Sequence, residues 1–223
     1  MNRTNQLKKL NQLLNNLPKN IFLTGVSTDV GKTYVMKLII KEFQKNGINV
    51  AAYKPISSGH SEFDNKSDVN QILSALTNTQ HYKDINTYTF TMPVSPHLAS
   101  QIESNPIDVS KIDEKLENLN NKYECVIIEG AGGWKVPYSS EGFISDWVTK
   151  NKFPVILVVD NKLGCINHAL LSVESIVSSG NCLIGWFMNH TSEVDEIIAD
   201  ENIKFLEKHI SAKFLGVIKF NQE

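Results

Sequence analysis

The segment Gly25-Val26-Ser27-Thr28-Asp29-Val30-Gly31-Lys32-Thr33 constrains the fold of this chain more than any other feature. It follows the apolar run Ile21-Phe22-Leu23 and opens a stretch with helical spacing. Phosphates are held by backbone N–H groups gathered at a helix N-terminus, where the helix dipole adds to the attraction. Glycines permit the tight turn and close approach that such a cradle needs. Lys32 is placed to reach the β- and γ-phosphates, and the Thr33 hydroxyl to serve a magnesium ion. Five residues separate Gly25 from Gly31, one more than in the common G-x4-G-K-[ST] pattern. A nucleotide-binding α/β protein follows.

The rest of the pattern agrees. β-branched runs at 21–25, 48–53, 123–129, 155–160, 182–189 and 214–218 read as strands. Helical patterns lie at 32–46, 68–76, 143–151, 165–179 and 192–209, the first carrying Val35, Leu38, Ile39 and Phe43 on one face and stopping at Gly47. Val155-Ile156-Leu157-Val158-Val159 is continuously apolar, as a central parallel strand buried on both faces must be. The expected fold is a single α/β domain, P-loop NTPase-like, with a mostly parallel sheet and helices on both faces. Residues 59–119 are polar and proline-punctuated, and read as excursions and helices between the second and third parallel strands. The domain spans residues 20–223, preceded by an extension (1–19) that reads as a short helix or tail.

Charge and cysteine usage exclude several function classes. With 22 Lys+Arg against 24 Asp+Glu, no clustered cationic face for nucleic acid is expected. Apolar runs such as 154–159 are strand-length, far short of the ~20 residues of a bilayer span, so no membrane insertion is expected. Residues 1–17 lack the compact apolar region and cleavage site of a signal peptide. Cys125, Cys165 and Cys182 are odd in number and lack Cys-x-x-Cys spacing, so they read as buried thiols of a reducing compartment.

In open α/β sheets the ligand sits beyond the carboxyl ends of the strands. Lys54, before Pro55, lies at such an end and reads either as a solvated lysine or as a second cation facing transferring phosphate. Glu129, ending an apolar strand before Gly130-Ala131-Gly132-Gly133, is a candidate magnesium partner. Asp68 reads either as a helix N-cap or as another such partner. The helix start Gly164-Cys165-Ile166-Asn167 is either an ordinary joint or a carboxylate site. His97 and His168 read as packed or hydrogen-bonded, and Trp134, Trp147 and Trp186 as core.

Together these segments resemble the dethiobiotin synthetase family over roughly residues 20–218. The resemblance rests on the P-loop with its five-residue gap, Tyr53-Lys54-Pro55 with Ser58-Gly59, Ser67-Asp68, Ser95-Pro96-His97 and Glu129-Gly130-Ala131-Gly132-Gly133-Trp134. It continues through Pro137, Asp146-Trp147-Val148, Lys162-Leu163-Gly164-Cys165-Ile166-Asn167-His168-Ala169 and Gly185-Trp186. After Ile218 the family usually has a proline and a longer tail, where this sequence has Lys219-Phe220-Asn221.

The resemblance implies a cytoplasmic homodimer that closes a ureido ring on 7,8-diaminopelargonate with CO2, ATP and Mg2+. A carbamate is phosphorylated to a carbamic–phosphoric anhydride, which the second amine then attacks. It implies that Lys54 and Lys32 are catalytic and that Thr33, Asp68 and Glu129 hold magnesium. The nucleotide is lined by Asp29, Val30, Gly31, Lys32, Thr33, Tyr34, Asp68, Glu129, Gly130, Ala131 and Gly132, with Asn189 and His190 at adenine. Thr28 and Ser58 line the diamine and carbamate, and Gly164, Cys165, Ile166 and Asn167 receive the substrate carboxylate across the dimer interface. Partitioning ATPases of the ParA/MinD kind resemble this fold but carry a lysine five residues before the P-loop lysine, where this chain has Ser27. A cobyrinate-type ligase would need a further glutaminase domain.

Overall fold

A computed structural model of the chain describes residue 10 and residues 16–220; the helix or tail expected at 1–19 lies largely outside the described residues. The elements begin β1 (Asn20–Gly25), α1 (Lys32–Lys45), β2 (Val50–Ser58), α2 (Asp68–Leu73), α3 (Tyr82–Ile85), β3 (Asn86–Phe90) and α4 (Pro96–Ile102). They continue α5 (Val109–Lys122), β4 (Cys125–Gly133), α6 (Ile144–Lys150) and β5 (Val155–Asp160). The last are α7 (Cys165–Ser178), β6 (Leu183–Asn189), α8 (Glu196–His209) and β7 (Lys213–Ile218). All strand pairs are parallel, in the order β3-β2-β4-β1-β5-β6-β7. The first strand therefore lies at the centre, and the loop leaving it opens at the middle of the carboxyl edge, where ligands of such sheets bind.

Side chains alternate across β1. Ile21 and Leu23 join Met36, Ile39, Ile40 and Phe43 of α1 in one core, while Phe22 joins Tyr53, Trp134 and Trp147 in the other. Leu10 is fully buried in the α1 core, and β5 is buried at every position. The α1 stripe is wider than the spacing implied, with Met36 and Ile40 buried and Leu38 half-buried. Gly47, at φ +80° just past the Asn46 cap, stops the helix as expected.

Two differences from expectation bear on function. Helices are expected in the stretch 59–119, but strand β3 is not, because β3 (Asn-Thr-Tyr-Thr-Phe) is a polar edge strand whose burial merely alternates. Strand β2 also continues past Tyr53: it pairs with β4 through Tyr53, then with β3 from Lys54 to Ser58. Lys54 thus sits inside a strand instead of at its end. Pro55, which has no N–H to donate, falls where the β4 pairing has stopped.

The three tryptophans are core residues, 0–4% exposed. Cys125 and Cys165 are buried as expected, but Cys182 is exposed, since it lies in the turn before β6. Trp186 packs its ring 4.4 Å from that of Phe214. Trp186→Ala is expected to lower unfolding free energy by about 3–5 kcal/mol, read from the urea midpoint, because the void cannot collapse under a rigid sheet.

Candidate active site

The site begins at the N-terminus of α1. Gly31 has φ +81° and no side-chain cap closes the helix, so its first N–H groups are left for a ligand. A methyl group on Gly31 would lie 2.2 Å from Asn189 Nδ2. That amide nitrogen donates to the Val30 carbonyl at 2.8 Å, so the end of β6 holds the loop from behind. Asp29 also takes a left-handed conformation, φ 55°, which aspartate tolerates better than most residues.

Lys32 folds back over the loop, and its Nζ donates to the Ser27 carbonyl at 3.0 Å. It is only 7% exposed. Burial, with the Lys54 charge adding to it against the pull of Glu129, lowers its pKa to about 8. A buried cation in such tension gains most from an arriving polyanion.

The second cation is better paired. Lys54 is 3% exposed. Its ammonium lies 2.6 Å from Asp68 Oδ2 and 2.5 Å from Glu129 Oε1. Burial alone would depress it, but the two carboxylates more than reverse that and hold Lys54 above the usual lysine range. Burial likewise pushes Glu129 up against the pull of Lys54. At Asp68 the burial penalty is outweighed by Lys54 and the Thr33 hydroxyl, so its carboxyl sits below its ordinary value. The solvated reading of Lys54 is overturned. So is the N-cap reading of Asp68: Ser67 caps α2 by accepting from the Asn70 N–H, which frees the Asp68 carboxylate for the cleft.

Thr33 Oγ1 lies 3.0 Å from Asp68 Oδ1 and 2.9 Å from Glu129 Oε1. One hydroxyl proton serves only one carboxylate at a time. Glu129 Oε2, on a fully buried side chain, has no hydrogen-bond partner. An oxygen-rich corner with this surplus of acceptor capacity fits a hard divalent cation. No group of three or more His, Cys, Asp or Glu able to hold a metal occurs among the described residues, consistent with an ion completed by phosphate oxygens and water.

These groups line one cleft of about 850 Å3. Thr28, Asp29, Gly31, Lys32, Thr33 and Tyr34 form one wall. Lys54, Ser58, Asp68, Glu129, Ala131 and Gly132 are brought to it from β2, α2 and β4. The remaining predicted residues lie off the lining. Val30 is buried beneath the loop, and Gly130 packs on Phe22. Asn189 braces the loop, while the His190 ring lies 3.2 Å from the Asn161 amide. Gly164, Cys165, Ile166 and Asn167 sit past β5, outside this chain's own cleft, with Asn167 exposed. His97 bonds to Ser95 Oγ and His168 is exposed on α7. Sequence reasoning missed His60, which lines the cleft just past Gly59 and contacts Asp64 Oδ2 through Nδ1 at 2.7 Å. The signal was a histidine four residues before an aspartate, directly after Ser58-Gly59.

A family model described as an AAA domain matches residues 19–223. The ATP-dependent dethiobiotin synthetase BioD of Photobacterium profundum is 42% identical over 202 residues, covering 89% of this chain and 91% of that protein. The same enzyme of Aliivibrio fischeri is 40% identical, covering 89% of both chains. Among solved structures, MinD cell division protein from Aquifex aeolicus aligns with TM-score 0.55 at 14% identity, covering 91% of this chain and 82% of that one. The hydrogenase maturation factor HypB of Archaeoglobus fulgidus aligns with TM-score 0.52 at 13% identity, covering 96% and 87%. These two share the fold.

Proposed function

The chain belongs to the ATP-dependent dethiobiotin synthetases, and from that membership we propose how its cleft closes the ureido ring on 7,8-diaminopelargonate. The reaction is the ATP-dependent conversion of that diamine and CO2 to dethiobiotin in biotin synthesis. The observation that carries the mechanistic reading is the meeting of two buried ammonium groups, two carboxylates and one hydroxyl in a single cleft.

One amine of the substrate bonds to CO2, giving a carbamate whose carbon is a poor electrophile. The γ-phosphoryl group of ATP passes to a carbamate oxygen, and the second amine then attacks the activated carbonyl and releases phosphate. Transfer spreads negative charge over phosphate and carbamate oxygens, and Lys32 and Lys54 supply fixed positive charge there. The α1 N-terminus, with Asp29 through Tyr34, cradles the phosphates. Ala131 and Gly132 let the β4 backbone face the same group, with Gly130 packed on Phe22 behind them, and Thr28 and Ser58 line the diamine. Asn189 and His190 lie on the side assigned to adenine; the bond from Asn189 to Val30 ties that side to the P-loop.

Thr33, Asp68 and Glu129 would hold Mg2+. When bound, the ion neutralises phosphate charge and so favours transfer. Lys54, paired with the same two carboxylates, would stand beside that ion as a second fixed positive charge facing the transferring group. The helix start Gly164–Asn167 receives the substrate carboxylate from the partner subunit of a homodimer. The uncovered Leu163 and the exposed Leu171 of α7 support a covered face there. The enzyme works in the cytoplasm; among the described residues no helix is long and apolar enough to cross a membrane.

Labelled CO2 supplied with diaminopelargonate, ATP and Mg2+ is expected to enter an acid-stable ureido product, one phosphate released per ring. ATP consumption without label in that product would overturn the proposal.

A further inference from the structure

Forming the carbamate creates a proton problem that the two lysines cannot solve, since both serve as cations. As the amine nitrogen bonds to the CO2 carbon, one C=O π pair moves onto oxygen and the nitrogen must lose a proton. A base inside the cleft is needed to keep that proton from reversing the step.

His60 is a base so placed. It leaves β2 two residues after Ser58 and lines the same cleft as Thr28, Ser58 and Lys54. Its Nδ1 lies 2.7 Å from Asp64 Oδ2. The Lys66 N–H and the His60 ring hold the Asp64 carboxyl below its ordinary range, so it is an ionised acceptor. An ionised carboxylate only accepts, so Nδ1 carries the proton, and in the neutral ring Nε2 keeps its lone pair. Among the described residues the ring's hydrogen bond is the one through Nδ1, which leaves Nε2 open. The loop is also braced: Asn70 Nδ2 donates to the Glu62 and Asp64 carbonyls, tying it to α2, whose first residue is Asp68. Other charged groups facing the cleft are Lys32, Lys54, Asp29, Asp68 and Glu129, and of these the four nearest the P-loop corner are already engaged with one another or with the backbone.

We propose that His60, oriented by Asp64, is the general base that takes the proton from the diamine nitrogen as it captures CO2. The assignment rests on the dethiobiotin synthetase reading and adds to it a residue that sets the rate of carboxylation. The alternative is that the pair only staples its loop.

Three enzymes decide between them under limiting CO2: wild type, His60→Gln and His60→Ala. Glutamine retains a hydrogen bond to Asp64 but cannot accept a proton. His60→Gln and His60→Ala are each expected to lose about a hundredfold in the CO2-dependent rate, the lower range for general-base catalysis. Added imidazole is expected to restore His60→Ala, whereas sodium chloride of equal ionic strength leaves it unchanged. Wild-type rates in His60→Gln, or no response of His60→Ala to imidazole, would overturn the base while leaving the ligase reading intact. Absence of ureido product from the wild type would sink both.

Discussion

Lys54→Ala is expected to cut dethiobiotin formation by about three orders of magnitude, the upper range for removing one group aimed at developing negative charge. The reason lies in what Lys54 touches. Its ammonium is the only cation within ion-pair distance of Asp68 and Glu129 among the described residues, and one of those carboxylates is fully buried. Taking it away leaves two acids facing each other around the Thr33 hydroxyl. Breaking a buried pair in this way costs about 3–5 kcal/mol, so the variant is also expected to unfold at lower urea. Turnover is therefore measured per folded molecule, with Lys54→Arg beside it. Arginine retains the charge but spreads it over a planar fork that a site built for a point charge cannot seat, so stability is expected to recover more than turnover. Near-normal turnover in folded Lys54→Ala would remove this residue from the mechanism.

Gly31→Ala is expected to weaken ATP binding by about 30- to 100-fold, measured by calorimetry, as the loop shifts to relieve the strain. Two costs combine. The left-handed conformation at φ +81° costs an L-residue roughly 1–2 kcal/mol. The new methyl group would also sit 2.2 Å from Asn189 Nδ2, so the amide must leave the Val30 carbonyl, losing a buried hydrogen bond of about 1 kcal/mol. Each 1.4 kcal/mol is a factor of ten in affinity, which sets the range. Both costs fall on the loop and leave the sheet intact. ATP affinity equal to wild type would show that Asn189 and Gly31 do not set the shape of the cradle.

Much of this site can be read from local pattern. The P-loop is contiguous, with its strand before and helix after, so its position in the fold follows from a few adjacent residues. The same holds for the buried β5 run and for the Gly47 stop. Lys54 and Asp68 could be flagged but not resolved between bland and chemical roles. Lys54 finds its partners on β4 and at the start of α2, and Asp68 finds its own on β2 and α1; neighbours so distant in the chain leave no mark on a residue's own sequence. Strand β3 was illegible for a related reason: an edge strand with one half-exposed face carries a weak apolar signal, and its identity depends on β2 being there to pair with it.

Position along the chain determined the α/β class, the central phosphate loop and the set of residues able to do phosphoryl chemistry, because hydrophobic period and glycine placement act over a few bonds. Tertiary structure alone decided that Lys54 is buried between two carboxylates, that Ser67 caps α2 in place of Asp68, and that Asn189 reaches 159 residues back to hold the P-loop. Those outcomes are settled by desolvation and charge pairing between distant segments, which take effect only once the parallel sheet has brought its strand ends together.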